Sequence, residues 1–166
     1  MEPIRKYCIT CGQTLSLRNI DGREQLVCSQ CGLVVYRNPI PATCVVVIED
    51  GKVLIVKRAV EPRKGKWCLP GGFIEIDETA KESALRELTE ETGLDGEIIS
   101  LIDVSHQLRT AYDNVLLVGY TARIIGGEMQ AGDDAAECAF IDLDSRPRLA
   151  FSSHEYFLKK VLSESR

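Results

Sequence analysis

The stretch Thr43-Cys-Val-Val-Val-Ile48 is apolar or β-branched throughout, and Glu49-Asp50-Gly51-Lys52 and Val53-Leu-Ile-Val56 follow it. An apolar run of this length bounded by turn residues predicts a buried strand, and the Asp-Gly pair predicts a hairpin that brings Val53–Val56 back beside it. Leu116–Ala122, closed by Gly126-Gly127, and Ala139–Ile141 read as further strands. Two segments switch to helical spacing. From Glu78 to Thr92 the apolar residues Ala80, Ala84 and Leu88 recur four apart with Leu85 beside them, and Gly93 is placed to end the helix. From Ser153 to Leu162 the stripe is Tyr156, Phe157, Leu158 and Val161. Ser152-x-x-Glu155 fits a capping box there, and Lys159 and Lys160 suit the C-terminal dipole.

Residues 1–38 are of a different kind. They are polar, with short hairpin strands at Leu15–Leu17 and Gln25–Val27 around Asn19-Ile20-Asp21-Gly22. Asn38-Pro39-Ile40-Pro41 then punctuates the chain, which predicts two domains, 1–38 and 39–166. The first holds five Lys/Arg against three Asp/Glu, a net of +2, which leaves −7 for the remainder of a chain whose net charge is −5. That acidity disfavours nucleic acid as a bulk partner, since phosphate contacts carry most such affinity. With 45% hydrophobic and 27% charged residues, no apolar run near membrane length and no signal-peptide core, the expectation is a cytoplasmic protein that does not use a membrane.

Four of the seven cysteines form Cys8-x2-Cys11-Gly and Cys28-x2-Cys31-Gly, separated by sixteen residues. This is the spacing of a four-thiolate zinc site, and the following glycines let the backbone turn close to the sulfurs. Four thiolates close the coordination of Zn2+, so the metal is expected to be structural and to fold a segment too small to own a core. Cys44, Cys68 and Cys138 sit among apolar neighbours and read as small buried hydrophobes.

The helix at 78–92 carries Glu87, Glu90 and Glu91. At about 100° per residue these carboxylates share a stripe about 100° wide, with Glu90 and Glu91 on either side of Glu87. Like charges at these spacings repel, and the nearest basic residue, Arg86, projects to one side of the stripe. A divalent cation resolves the conflict, because Mg2+ prefers carboxylate oxygen and keeps open water positions.

The segment Gly72-x5-Glu78-x7-Arg86-Glu87-Leu88-x-Glu90-Glu91-x-Gly93-Leu94 resembles the Nudix hydrolase box at every fixed position, and Gly65-Lys66-Trp67-Cys68-Leu69-Pro70-Gly71-Gly72 is similar to the family's approach to its catalytic loop. The resemblance covers about residues 40–162. It implies an α+β Nudix fold, a mixed sheet in an α/β/α sandwich, behind the small zinc ribbon. It further implies a pyrophosphohydrolase using Mg2+ or Mn2+, with Glu87, Glu90 and Glu91 as metal-binding and base-donating residues and Gly72 lending a carbonyl to metal. Arg86, counted with the catalytic set, pairs with Glu78 to hold loop and helix together. A carboxylate from outside the box is also implied, for which Glu137 is the first choice and Asp133 and Asp134 the alternatives. Dimers are common in the family, so a homodimer is one expected assembly.

For the substrate, a nucleoside diphosphate derivative, the basic residues before the box (Lys57, Arg58, Arg63, Lys64, Lys66) are available to phosphate, with Arg58 and Lys66 preferred. Phe73, Tyr112 and Trp67 are available to a base. A ribbon joined to a Nudix domain resembles the NADH pyrophosphatases, but their Pro- and Trp-containing signature after the box is absent from Ser105–Asn114. The layout from Lys57 to Trp67, with Leu149–Ser153, is more similar to a ribbon-bearing group that includes FAD pyrophosphatases of plants. That group tends to have Leu-Pro-Ala-Gly where this chain has Leu69-Pro-Gly-Gly72. ADP-ribose, FAD and NADH stand as substrates in that order. The alternative is a weakly catalytic nucleotide sensor whose ribbon binds nucleic acid or a protein.

Overall fold

The computed structural model describes residues 5–110 and 113–164. The chain forms two compact units, Met1–Asn38 and Pro39–Arg166. The first is a three-stranded antiparallel sheet of β1 (Leu15–Ile20), β2 (Arg23–Cys28) and β3 (Val34–Val35) in that order. The β1–β2 turn places Asp21 and Gly22 at φ 49° and 83°, the left-handed pair that a two-residue hairpin requires. The Gly22 N–H is capped by Asn19 Oδ1 at 2.9 Å.

The second unit runs β4 (Ile40–Val46), β5 (Ile48–Glu49), β6 (Lys52–Arg58), β7 (Trp67–Cys68), α1 (Ala80–Thr92), β8 (Leu94–Thr110), β9 (Asp113–Gly127), β10 (Ala135–Asp142) and α2 (Ser152–Glu164). One sheet has the order β4-β9-β8, with β4 parallel to β9. The other has the order β10-β6-β5, with β7 on β6. The mixed sheet, the antiparallel sheet and the two helices give the α+β class expected. The hairpin differs in one respect. Asp50-Gly51 turns as predicted, but only Ile48 and Glu49 pair with β6, while residues 40–46 leave to pair with β9.

The apolar run is continuous because both faces of β4 are covered. Cys44 and Val46 point into a cluster with Ile55, Leu69 and Phe157 of α2. Val45 and Val47 point into a second cluster with Leu54, Tyr120, and Ala84 and Leu88 of α1. Cys44 and Cys68 are buried and Cys138 is half-buried. Among the described residues no helix is long and apolar enough to cross a membrane.

The ends of α1 are well defined. Thr79 caps it in a reciprocal box with Glu82 (Thr79 N to Glu82 Oε2, 2.8 Å), and Gly93 closes it at φ 71°. The helix therefore starts two residues later than predicted, because Glu78 is turned toward Arg86. The capping box predicted for α2 does not form. Glu155 instead accepts both Arg146 guanidinium nitrogens at 2.8 Å and the Leu149 N–H at 2.7 Å, which ties the preceding loop to the helix.

Arg146 holds the Glu155 carboxyl down at about 2, against an ordinary 4.5. The pair's stabilisation is therefore complete above pH 4.5 and fades as pH falls toward 2. Glu155→Gln is expected to cost about 2 kcal/mol at pH 7 and much less at pH 3, as read by urea denaturation at the two pH values.

Candidate active site

The backbone from Pro70 to Ile74 runs along β4: Val45 N–H donates to Pro70 O (2.9 Å), Thr43 N–H to Gly72 O (2.8 Å), and Ile74 N–H to Pro41 O (3.2 Å). This wedges the loop between β4 and α1, where no side chain fits. A Cβ on Gly71, whose φ is 150°, would overlap Thr43 O, and one on Gly72 would overlap the Glu87 carboxylate. The Gly71 N–H donates to Glu91 Oε2 at 2.8 Å. The two glycines thus deliver a peptide edge to the two carboxylates that α1 turns inward.

Those carboxylates are out of water, with Glu87 only 9% and Glu91 only 4% exposed. Burial pushes both carboxyl groups up, Glu91 to about 8. Their compensation is unequal. Arg86 bonds Glu78 twice (2.7 and 2.9 Å), Glu87 Oε1 at 2.9 Å, Glu90 Oε2 at 2.8 Å and Phe73 O at 3.1 Å. Those bonds hold Glu78 down at about 2. The reading of Arg86 as off to one side is corrected here: its long side chain folds back across the stripe. Glu91 has no such bond among the described residues, where Gly71 N–H is its one hydrogen-bond donor.

Both carboxylates line a cavity of about 660 Å³. Asp133 and Asp134 add to its acidic wall, Arg58 and Arg63 supply cationic groups, and Phe73, Leu108, Val115 and Leu117 supply apolar surface. Hard oxygen donors, one of them buried without a salt bridge among the described residues, suit a divalent ion of the Mg2+ or Mn2+ type.

In the first unit the four cysteine sulfurs all lie within 4.8 Å of one another, and they are the one such set of His, Cys, Asp or Glu ligand atoms among the described residues. Cys8–Cys31 and Cys11–Cys28 stand 3.6 and 3.5 Å apart. A tetrahedron with Zn–S bonds of about 2.3 Å has sulfur edges of about 3.8 Å, so the cluster is sized for Zn2+. The Thr10 N–H donates to Cys8 Sγ at 3.4 Å.

A family model described as NUDIX domain matches residues 38–160, and a zinc-ribbon model described as Nudix N-terminal matches residues 6–37. The chain belongs to the Nudix hydrolase family. The ADP-ribose pyrophosphatase of Methanocaldococcus jannaschii is 42% identical over 129 residues, 77% of this chain and 76% of that protein. The NAD-capped RNA hydrolase NudC of Pseudomonas aeruginosa is 29% identical over 147 residues, 87% of this chain and 50% of that protein, so the chain spans about half of that relative's length. A NUDIX hydrolase from Nitrosomonas europaea superposes with a TM-score of 0.85 at 29% identity, covering 96% of this chain and 92% of that one.

The Nudix cavity takes in some of the predicted residues and leaves out others. Glu87, Glu91, Gly72, Arg58 and Phe73 line it. Glu90 is exposed and held by Arg86, and Lys66 is exposed outside the wall. Tyr112 lies outside the described residues. Glu137 is 53% exposed on β10, paired with Lys57 at 3.2 Å, and is not part of the wall. A register shift between Ala135 and Glu137 turns it outward and leaves Asp133 and Asp134 at the cavity. The Gly72 carbonyl is already an acceptor for Thr43 N–H, which uses one of its two lone pairs. Phe151 and His154, which the sequence did not single out, also line the cavity.

The incompletely compensated burial of Glu91 has a thermodynamic signature. Its carboxyl is raised from 4.5 to about 8, so without a divalent ion the folded state loses stability as pH climbs from 4.5 to 8. In zinc-loaded protein freed of Mg2+, Glu91→Gln is therefore expected to melt at or above the wild-type temperature at pH 8. Mg2+ should raise the melting temperature of the wild type more than that of the variant. Equal gains in both would contradict the assignment. In a separate experiment, stripping zinc should open amide exchange across residues 5–38 and leave the core amides of β4, β6 and α1 protected; exchange throughout would contradict an independently folded second unit.

Proposed function

We propose that the protein is a Mg2+-dependent pyrophosphohydrolase that cleaves the phosphoanhydride of a nucleoside diphosphate joined to a second group, with ADP-ribose the first-choice substrate. Water adds to one phosphorus, the bridging P–O bond breaks, and a nucleoside monophosphate leaves with the phosphorylated second group. The observation that carries this reading is the pair of buried carboxylates, Glu87 and Glu91, presented to a cavity that also offers guanidinium and aromatic surface. The similarity to an ADP-ribose pyrophosphatase at 42% identity favours ADP-ribose over FAD and NADH.

A divalent cation bound there would neutralise the diphosphate and acidify a coordinated water. Glu87 and Glu91 would hold it, with Asp133 and Asp134 filling the role first given to Glu137. A carboxylate of this set accepts the proton of the attacking water. Arg86 keeps Glu87 and Glu90 in position by bonding both while anchored to Glu78 and Phe73 O. Arg58 and Arg63 draw the anionic substrate to the cavity wall, and Phe73 offers a ring face to its base. In the other unit, Zn2+ on Cys8, Cys11, Cys28 and Cys31 would be structural, because four thiolates leave no open position.

Mg2+-dependent release of product from ADP-ribose, FAD, NADH, diadenosine polyphosphates and nucleoside triphosphates tests this reading. Turnover on ADP-ribose is expected to be greatest and to fall on the order of 10²-fold or more in Glu87→Gln and Glu91→Gln. Tight nucleotide binding with no turnover on any of these compounds would identify a nucleotide sensor instead.

A further inference from the structure

His154 stands in the first turn of α2 and is only 7% exposed. Its Nδ1 accepts the Leu69 N–H at 3.1 Å, a bond that reaches across 85 positions of sequence. An accepting Nδ1 carries no proton, so the neutral ring bears its hydrogen on Nε2. Burial, seconded by the nearby Arg58 cation, lowers the imidazole to about 3, so the ring is neutral near pH 7. Nε2 has no hydrogen-bond partner among the described residues, yet no fully buried side-chain polar atom of the described chain lacks one. The Nε2–H must therefore reach open space, and the space that His154 lines is the cavity.

The ring is held firmly. It leans on Phe151 with centroids 5.1 Å apart at 56°. Phe151 in turn carries the Arg58 guanidinium 5.5 Å from its own centroid, and Arg58 Nε donates to Pro62 O at 2.7 Å. A fixed neutral donor beside a guanidinium makes a subsite for an acceptor oxygen that carries negative charge. Arg58 also lies within electrostatic range of Glu91, so this subsite adjoins the carboxylates read above as cation-binding. In a nucleoside diphosphate, the oxygens that face a cation on one side and a guanidinium on the other are those of the phosphoryl groups.

We propose that His154 is a substrate-binding residue whose Nε2–H donates to a non-bridging oxygen of the substrate's diphosphate, beside Arg58. The proposal rests on the reading of the cavity as a nucleoside diphosphate site and adds to it a donor from α2, outside the box. A neutral N–H contributes a directional bond without competing for the cation, and it leaves the carboxylates undisturbed. The interaction of such a donor with a charged oxygen is worth on the order of tenfold in affinity or more.

Two substitutions separate this role from a packing role. In His154→Asn the amide oxygen stands where Nδ1 stood and still accepts the Leu69 N–H, but the donor into the cavity is gone. In His154→Gln an amide N–H stands near the place of Nε2. The probe is α,β-methylene-ADP with Mg2+, followed by calorimetry on the full zinc-loaded chain. His154→Asn is expected to melt within about 4 °C of wild type and to bind the probe on the order of tenfold more weakly, and His154→Gln to recover most of that affinity. Wild-type affinity in His154→Asn would overturn the proposal while leaving the pyrophosphohydrolase reading intact. If the wild type neither binds the probe nor turns over any nucleoside diphosphate, that reading falls and the proposal with it. Should His154→Asn fail to fold, the wild type still decides the matter: the ¹⁵N resonance of His154 Nε2 must shift when the probe is added with Mg2+, and an unmoved resonance overturns the proposal.

Discussion

Two carboxylates are taken out of water beside a backbone that only glycine can thread, and most of the second unit's design follows from that constraint. Removing a carboxylate from water costs several kcal/mol unless an opposite charge or donors replace the solvent. Glu87 receives that replacement from Arg86, which spans Glu78, Glu87 and Glu90. Glu91 receives a single peptide N–H from Gly71, and its carboxyl is pushed up accordingly. A larger residue at position 72 would collide with the Glu87 carboxylate itself. The glycines therefore keep the room beside the loop that the two acids occupy.

The rest of the unit holds that space open. β4 is covered on both faces, and its edge receives the loop from Pro70 to Ile74 by backbone bonds, so the glycine segment is fixed as if it were a strand. α1 is capped at both ends, which sets the rotation of Glu87 and Glu91 toward the loop. The first unit meets its own constraint with different chemistry. It has too few apolar residues for a core and gathers four soft sulfurs, whereas the second gathers hard oxygens. The donor types suit zinc in one unit and magnesium or manganese in the other.

Much of this is legible in the chain because it is local. The cysteine spacing, the Asp-Gly turns, the α1 stripe and the box glutamates all act within a few residues of one another. What is not legible depends on distant partners or broken periods. β8 runs from Leu94 to Thr110 but shows no alternation, because its pairing with β9 shifts register four times. The α2 capping box was plausible by spacing, yet Arg146 and Leu149 compete for Glu155 and win it with three charge-assisted bonds. Glu137 is the sequence's first choice for the carboxylate outside the box, but a bulge beside it leaves it paired with Lys57. His154 gives no local signal at all, since its tautomer is set by Leu69 on another element.

The demand of Glu91 for a cation is most directly examined by anomalous scattering from crystals grown with Mn2+ at neutral pH. A manganese peak about 2.1 Å from a carboxylate oxygen of both Glu87 and Glu91 is the expected result. A cavity free of manganese, with Glu91 protonated and bonded only to Gly71, would contradict it.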